Sequence, residues 1–273
     1  MGKVKIKRKS TLIDMTAMSD VTVLLLTFFM LTSTFLQKEP VVVETPSSVQ
    51  EQKVSTDNVV NILVSPHGEV FLNVFGEADP EASVVYAKEQ LGMDDVDARK
   101  EKGKWASDSL RRDVIIKAIH DYNEWRPNAK VELSMDEVMR LAKIGTIGMP
   151  IADLKDFLSR PEAEQDKIYT EFYKLTEAEQ EEYNRRKGVV RVGIPIDTDH
   201  SKTNEFQIWM KAIKAVAQTD YPNMNTAMTK GEGIAVKSDR RTPYAHMHVV
   251  LDNLQTVKMT RFTLMTALKS QDQ

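Results

Sequence analysis

The chain has 273 residues, of which 41% are hydrophobic and 28% charged, with a net charge of −3 and no cysteine. That length serves one large or two modest domains, and the missing cysteines exclude disulfides, thiolate metal sites and thiol nucleophiles. Lys3, Lys5, Lys7, Arg8 and Lys9 put +5 on the first eleven residues and leave −8 on the rest, a distribution that argues against a nucleic-acid-binding surface.

The first element in chain order is the uncharged stretch 21–36, VTVLLLTFFMLTSTFL. As a helix it rises about 24 Å, short of the roughly 20 residues that a hydrocarbon core of about 30 Å requires. With its outer end at Gln37–Lys38, the inner end reaches back to Thr16, and Asp20 sits about one helical turn inside the hydrocarbon. A secretory signal and a buried core helix compete with a membrane span. The segment has no small-x-small cleavage site, however, and the basic cluster and polar exit look like membrane borders. The reading adopted is an uncleaved single span over 12–37, with 1–11 cytoplasmic and the remainder outside.

Ser19-Asp20 could also be a simple helix cap. A cap there would leave the span short, so Asp20 is read as an intramembrane acid, a residue class that faces a bundle interior or a wet cavity. Nothing from Val21 to Gln37 is basic, so a second chain has to shelter the carboxylate or it must be protonated for part of the time. Thr16 lies four residues before Asp20, and Thr27 and Thr34 follow at steps of seven. Together they form a polar seam on one helix face.

Beyond the span, Pro40–Val43 with Thr45-Pro46 reads as a short extended piece that includes Val41, Val42 and Val43, and Ser47–Asp57 reads as a polar linker, all within 38–57. Asn58–Val64 and Glu69–Phe75 read as a hairpin joined by Ser65-Pro66-His67-Gly68. Residues 77–203 have a helical pattern, with starts at Asp79-Pro80 and over Ser107–Asn123. Capping boxes fall at Ser134/Glu137 and Thr176/Glu179, stops at Gly145 and Gly188, and further helices over Met149–Arg160 and Glu162–Lys174. Val189–Ile196 reads as a strand, Asn204–Gln218 as an amphipathic helix and Ile234–Lys237 as a short strand. Thr242 then caps a helix with Pro243 at its first position, and Tyr244, Met247, Leu251 and Leu254 recur along it. A final strand covers Phe262–Ala267, and Asp239, Thr242, Pro243 and Tyr244 are read as capping and packing residues.

Enzyme chemistry finds little support. His246 and His248 are two apart on a helix and make a poor metal pair, His67 is in a turn, and His120 and His200 stand alone. No phosphate-cradling loop or nucleophile grouping is legible, so neither a cofactor nor a metal is expected, and the chain is read as no enzyme.

Ile13-Asp14-Met15-Thr16-Ala17-Met18-Ser19-Asp20-Val21 resembles the entry to the single span of the ExbD/TolR family of biopolymer transport proteins, with Ala17 where that family usually has proline. The hairpin and the strand–helix–strand unit of 234–268 resemble the rest of that family's small outer domain. The resemblance implies that Asp20 is the proton-translocating group and that residues near Val41–Val43 exchange strands within a homodimer. It also implies an ExbB- or TolQ-like ring as membrane partner, a TonB- or TolA-like protein as force-receiving partner, and a bacterial inner-membrane location. The expected architecture is α+β: one transmembrane helix, then a periplasmic sandwich-like domain from 58–76 and 204–273, interrupted by the mainly helical insertion 77–203. The competing functional reading is a bitopic anchor for a periplasmic binding or scaffolding module without channel activity.

Overall fold

The computed structural model describes residues 15–32, 47–48, 58–76, 106–265 and 267–268, with isolated positions between 84 and 96. The expected helix at Asp79-Pro80 lies outside the described residues. Contacts divide the chain into two units, residues 1–38 and 39–273. The first unit contains α1 (Met15–Thr32). The fold is mixed α+β, with a five-stranded sheet and nine α-helices among the described residues.

In the second unit, β2 (Val59–Val64) and β3 (Val70–Phe75) form the expected hairpin, in register from Val59↔Phe75 to Val64↔Val70. The Ser65 hydroxyl fastens the turn, bonding the Glu69 carboxylate and accepting from the backbone N–H of Glu69 at 3.0 Å. Gly68 takes φ +94°, a conformation that favours glycine. Strand β5 (Ile234–Ser238) adds parallel to β2, and β6 (Thr263–Met265) adds parallel to β5. Strand β4 (Thr146–Ile147) adds antiparallel to β3, which gives the order β4-β3-β2-β5-β6. One register row crosses all five strands through Thr146, Asn73, Asn61, Ala235 and Thr263. A one-residue slip would move its two asparagines to the opposite face, among Ile62, Leu72 and Val236, so the row helps fix the pairing. Ser47–Ser48 (β1), read from sequence as the start of a linker, pairs parallel with Ala267–Leu268 (β7).

The helices are α2 (Ala106–Trp125), α3 (Met135–Ile144), α4 (Leu154–Ser159), α5 (Glu162–Phe172), α6 (Glu177–Arg185), α7 (Glu205–Thr219), α8 (Pro222–Lys230) and α9 (Tyr244–Thr256). Both expected capping boxes form, with Ser134 and Glu137 capping the start of α3 and Thr176 and Glu179 the start of α6. Gly145 ends α3 in the left-handed conformation at φ +79°. Helices α2 and α7 pack on each other, and Leu110, Val114, Phe206, Trp209 and Ile213 join β2 and β3 in one buried cluster. Residues 106–194 thus share a core with the sheet: Phe71 of β3 lies 6.0 Å, centroid to centroid, from both Tyr169 and Tyr173.

Several local expectations are corrected. Val189–Ile196 is an extended loop and not a strand. Val190, Val192 and Ile194 are buried at alternate positions, but Gly193 turns to φ +93°, and the segment's bonds go to Gly148 (2.8 Å) and Val70 (2.9 Å) without forming a ladder. The stretch 149–160 is broken after Pro150 into a 3₁₀ turn, Ile151–Asp153, and α4. Helix α6 stops at Arg185, two residues before the Lys187–Gly188 turn. At the start of α9 the cap is Pro243, while the Thr242 hydroxyl donates to the Ser65 carbonyl at 3.1 Å. Tyr244 is exposed and takes no part in packing the core.

Two buried polar groups tie the 77–203 stretch to the C-terminal helices. Asn253 Oδ1 accepts from Asn204 and Gln207, both at 2.8 Å, and its Nδ2 donates to the Asp197 carbonyl at 3.0 Å. Glu205, at the first turn of α7, accepts the Ile151 N–H at 2.7 Å. Burial pushes the Glu205 carboxyl above the ordinary carboxylate range, against the opposing pull of that N–H, Arg126 and Arg191. The folded state therefore binds this proton more tightly than the unfolded chain. The group's contribution to stability is fullest below the ordinary carboxylate pKa and is lost as pH rises through the raised one. Glu205→Gln keeps an acceptor for Ile151 and removes that loss. Its thermal midpoint is expected to equal or exceed the wild type's at neutral pH and to fall less on raising pH from about 4 to 7. A lower midpoint at neutral pH would show that the arginines outweigh burial.

Candidate functional site

The residue singled out for function, Asp20, lies five positions inside α1, whose first residue is Met15. The helix therefore does not begin at Ser19-Asp20, and the capping reading falls: a cap lies outside the first helical turn, whereas Asp20 is in the second. Eighteen residues give α1 a length of about 27 Å. Its side chains are described from Met18 to Phe28, and every large apolar one among them is more than half exposed. Among the described residues no helix is long and apolar enough to cross a membrane. The expected span of 12–37 extends beyond α1 on both sides, and 12–14 and 33–37 lie outside the described residues.

Of the residues expected to form a polar seam, Thr16 and Thr27 lie within α1. The Thr27 hydroxyl donates to the Leu24 carbonyl at 2.9 Å, which engages its hydrogen and leaves its lone pairs as acceptors on the Asp20 face. Thr16 lies within α1 one turn before Asp20, while Thr34 and Val41, Val42 and Val43 lie outside the described residues. Thr22, which the stepwise pattern passes over, donates to the Met18 carbonyl at 2.7 Å. Two residues on from Asp20 it lies about 200° around the helix, so hydroxyls occupy both sides of α1 and the seam is no exclusive stripe. Between Val21 and Phe28 the helix carries no charged residue. The arrangement is one carboxyl group on a mostly apolar helix, with the Thr27 hydroxyl two turns further along the same face and the Thr22 hydroxyl on the other side.

The histidines fall into different settings. His120 does not stand alone: Asp121 Oδ1 is 3.4 Å from its Nδ1, and Glu124 Oε1 is 4.0 Å from its Nε2. One ligand atom from each of these three lies within 4.8 Å of the others. Lys117 Nζ already pairs with Asp121 at 2.7 Å and would compete with a cation there. His246 and His248 diverge as expected: His246 lies against Gly68, and His248 Nδ1 pairs with Asp252 at 2.8 Å.

Comparison with known proteins gives one result. A family model described as biopolymer transport protein ExbD/TolR matches residues 7–147, which include all of α1, the hairpin, α2, α3 and β4. No curated protein and no solved structure matches the chain.

Proposed function

Because this chain belongs to the ExbD/TolR family of biopolymer transport proteins, a family of transport accessories involved in energy transduction, we propose that it is the proton-carrying subunit of an inner-membrane stator. In this reading α1 is the core of a single span over 12–37, with residues 1–11 in the cytoplasm and the unit from 39 onward in the periplasm. Protons pass over Asp20, and their energy reaches outer-membrane transport through a TonB- or TolA-like protein. The observation that carries the proposal is the position of Asp20 in the second turn of an apolar helix, where no capping role accounts for it. A group there has no basic neighbour on its own helix between Val21 and Phe28. The missing half of the site then comes from a second chain, an ExbB- or TolQ-like ring enclosing a dimer of this protein. Thr16, Thr27 and Thr34 line the seam that faces it, and Val41–Val43 pair across the dimer.

A second reading, a membrane-anchored periplasmic binding or scaffolding module, draws on one observation. Residues 106–194, part of the stretch 77–203 read from sequence as an insertion, build part of the main core, and a large folded unit could act without a channel. Exchanging residues 15–37 for a neutral, unrelated span separates the two. The stator reading expects energised transport to disappear while the protein stays in the membrane. Full transport with the foreign span would support the anchor.

A further inference from the structure

Helix α5 and the β2–β3 hairpin meet at Phe71, and three polar groups gather around that contact. Tyr169 and Tyr173 are four residues apart, which puts them on one side of α5 and its C-terminal cap. Both rings touch Phe71, with 6.0 Å between centroids in each pair. The tyrosines are held from other sides as well: Phe157 stands edge-on to Tyr169 at 5.8 Å, and Phe172 edge-on to Tyr173 at 5.4 Å. Gly148 lies against the Phe71 ring, where an added Cβ would be 2.1 Å from Cδ1, so the ring that both tyrosines touch is itself fixed.

Each tyrosine ends in a buried hydroxyl with no hydrogen-bond partner among the described residues, and the two hydroxyls do not bond each other. Tyr169 as a whole is only 8% exposed. Burial pushes both phenols above their ordinary value, and at Tyr173 the Glu69 carboxylate and then the Tyr169 hydroxyl add to the rise. Both groups therefore keep their protons and serve as donors. The third group is Glu69, whose Oε2 takes the Ser65 hydroxyl and whose carboxylate has lone pairs left for a further donor. An unpaired buried hydroxyl is costly. Two of them within one turn, beside a carboxylate, make a polar seat inside an aromatic contact. Two donors and one acceptor match a water molecule, which when buried makes about three hydrogen bonds to groups of this kind.

We propose that Tyr169, Tyr173 and Glu69 hold one internal water molecule that joins α5 to the hairpin. The two phenols donate to its oxygen, and it donates to the Glu69 carboxylate. The same carboxylate fastens the hairpin turn through Ser65, so the water couples the position of α5 to the shape of that turn. Both tyrosines lie beyond residues 7–147, the part of the chain that the family model matches. The site is in the unit from 39 onward and does not depend on what Asp20 does.

The test is thermal unfolding of the full chain in detergent micelles with Tyr169→Phe, Tyr173→Phe and the double variant, which keep both rings and remove only the hydroxyls. Each single substitution is expected to lower the midpoint by roughly 2 to 4 °C, because it strips the water of a partner. The double variant is expected to lose less than the two losses added together, because both act on the same water. An unchanged or raised midpoint in either single variant would mean that its hydroxyl is bare, and would overturn the proposal. Strictly additive losses would overturn it too, by showing two independent sites. A crystal structure of the full chain with ordered solvent is expected to place one water about 2.6 to 3.2 Å from both hydroxyl oxygens. A direct bond between the tyrosines, or from Tyr173 to Glu69, with no water between them would equally sink the idea.

Discussion

Asp20→Asn is expected to reduce energised transport to the level seen without an ion gradient, with the protein still present in the membrane in normal amount. Asparagine matches the carboxyl in size and makes similar hydrogen bonds, but it cannot take up and release a proton. The variant removes the chemistry and spares the shape. Each charge moved down the gradient is worth about 2.3 kcal/mol per 100 mV from the electrical part alone, and a carrier that cannot change charge state harvests none of it. Asp20→Glu keeps the proton but moves it by one methylene, and is expected to retain part of the activity. Complementation of a strain lacking the protein, read as energised uptake across the outer membrane, distinguishes these outcomes. Normal uptake by Asp20→Asn would remove Asp20 from the mechanism, and equal loss in both variants would point to packing at that position in place of proton transfer.

Gly233→Ala is expected to be the most damaging small substitution in the second unit. A Cβ at this position would lie 2.4 Å from the backbone nitrogen of Met228 and 2.8 Å from the carbonyl carbon of Ala227. Both atoms belong to the last turns of α8, so no side chain can rotate out of the way. Gly233 is also bonded on both sides, donating to the Ala227 carbonyl at 2.9 Å and accepting from the Val60 N–H at 2.9 Å. To admit a methyl group, the chain must pull either α8 away or β5 out of register with β2. The expected cost is about 3 kcal/mol, read as a drop of roughly 6 to 10 °C in the thermal midpoint. A substitution to alanine at Gly188, whose surroundings within 4 Å are open, provides the comparison; its φ of +81° makes it strained but free of any clash. If Gly233→Ala melted with the wild type, the close approach of α8 to β5 would be wrong.

The sequence was most legible where one local rule acts alone. Alternating apolar residues around Ser65-Pro66-His67-Gly68 specified the hairpin, and Ser134/Glu137 and Thr176/Glu179 specified two helix starts, because their partners lie within a few residues. Legibility failed where a distant partner decides. Val190, Val192 and Ile194 alternate as in a strand, but Gly193 has Glu69 of the hairpin against it: an added Cβ would sit 2.9 Å from the Cβ of Glu69. Thr242 has the chemistry of a helix cap, yet its hydroxyl turns to Ser65, more than 170 residues earlier in the chain. Strand β4 is two residues long, between Gly145 and Gly148, too short to have a period. Helix α8 has its marks, Pro222 at the start and Gly231 at φ +93° at the end, but its buried stripe rests on Met224 alone, leaving no periodicity to read. Asp20 was legible as an oddity of composition, and the helix boundary at Met15 is what separates it from a cap.

The pairing of β2 with β5 also sets a timetable. Val60 meets Ile234 and Val64 meets Ser238, so the central strand has only its hairpin partner until nearly the whole chain has been made. Contacts of such long sequence separation form late, after the entropy of closing a very large loop has been overcome. During synthesis the hairpin therefore presents one unpaired edge of β2, built from Val59, Val60, Ile62, Leu63 and Val64, to whatever surrounds it. A truncation that ends before Ile234 would leave that edge permanently open, and its product should be found among aggregates and protease fragments.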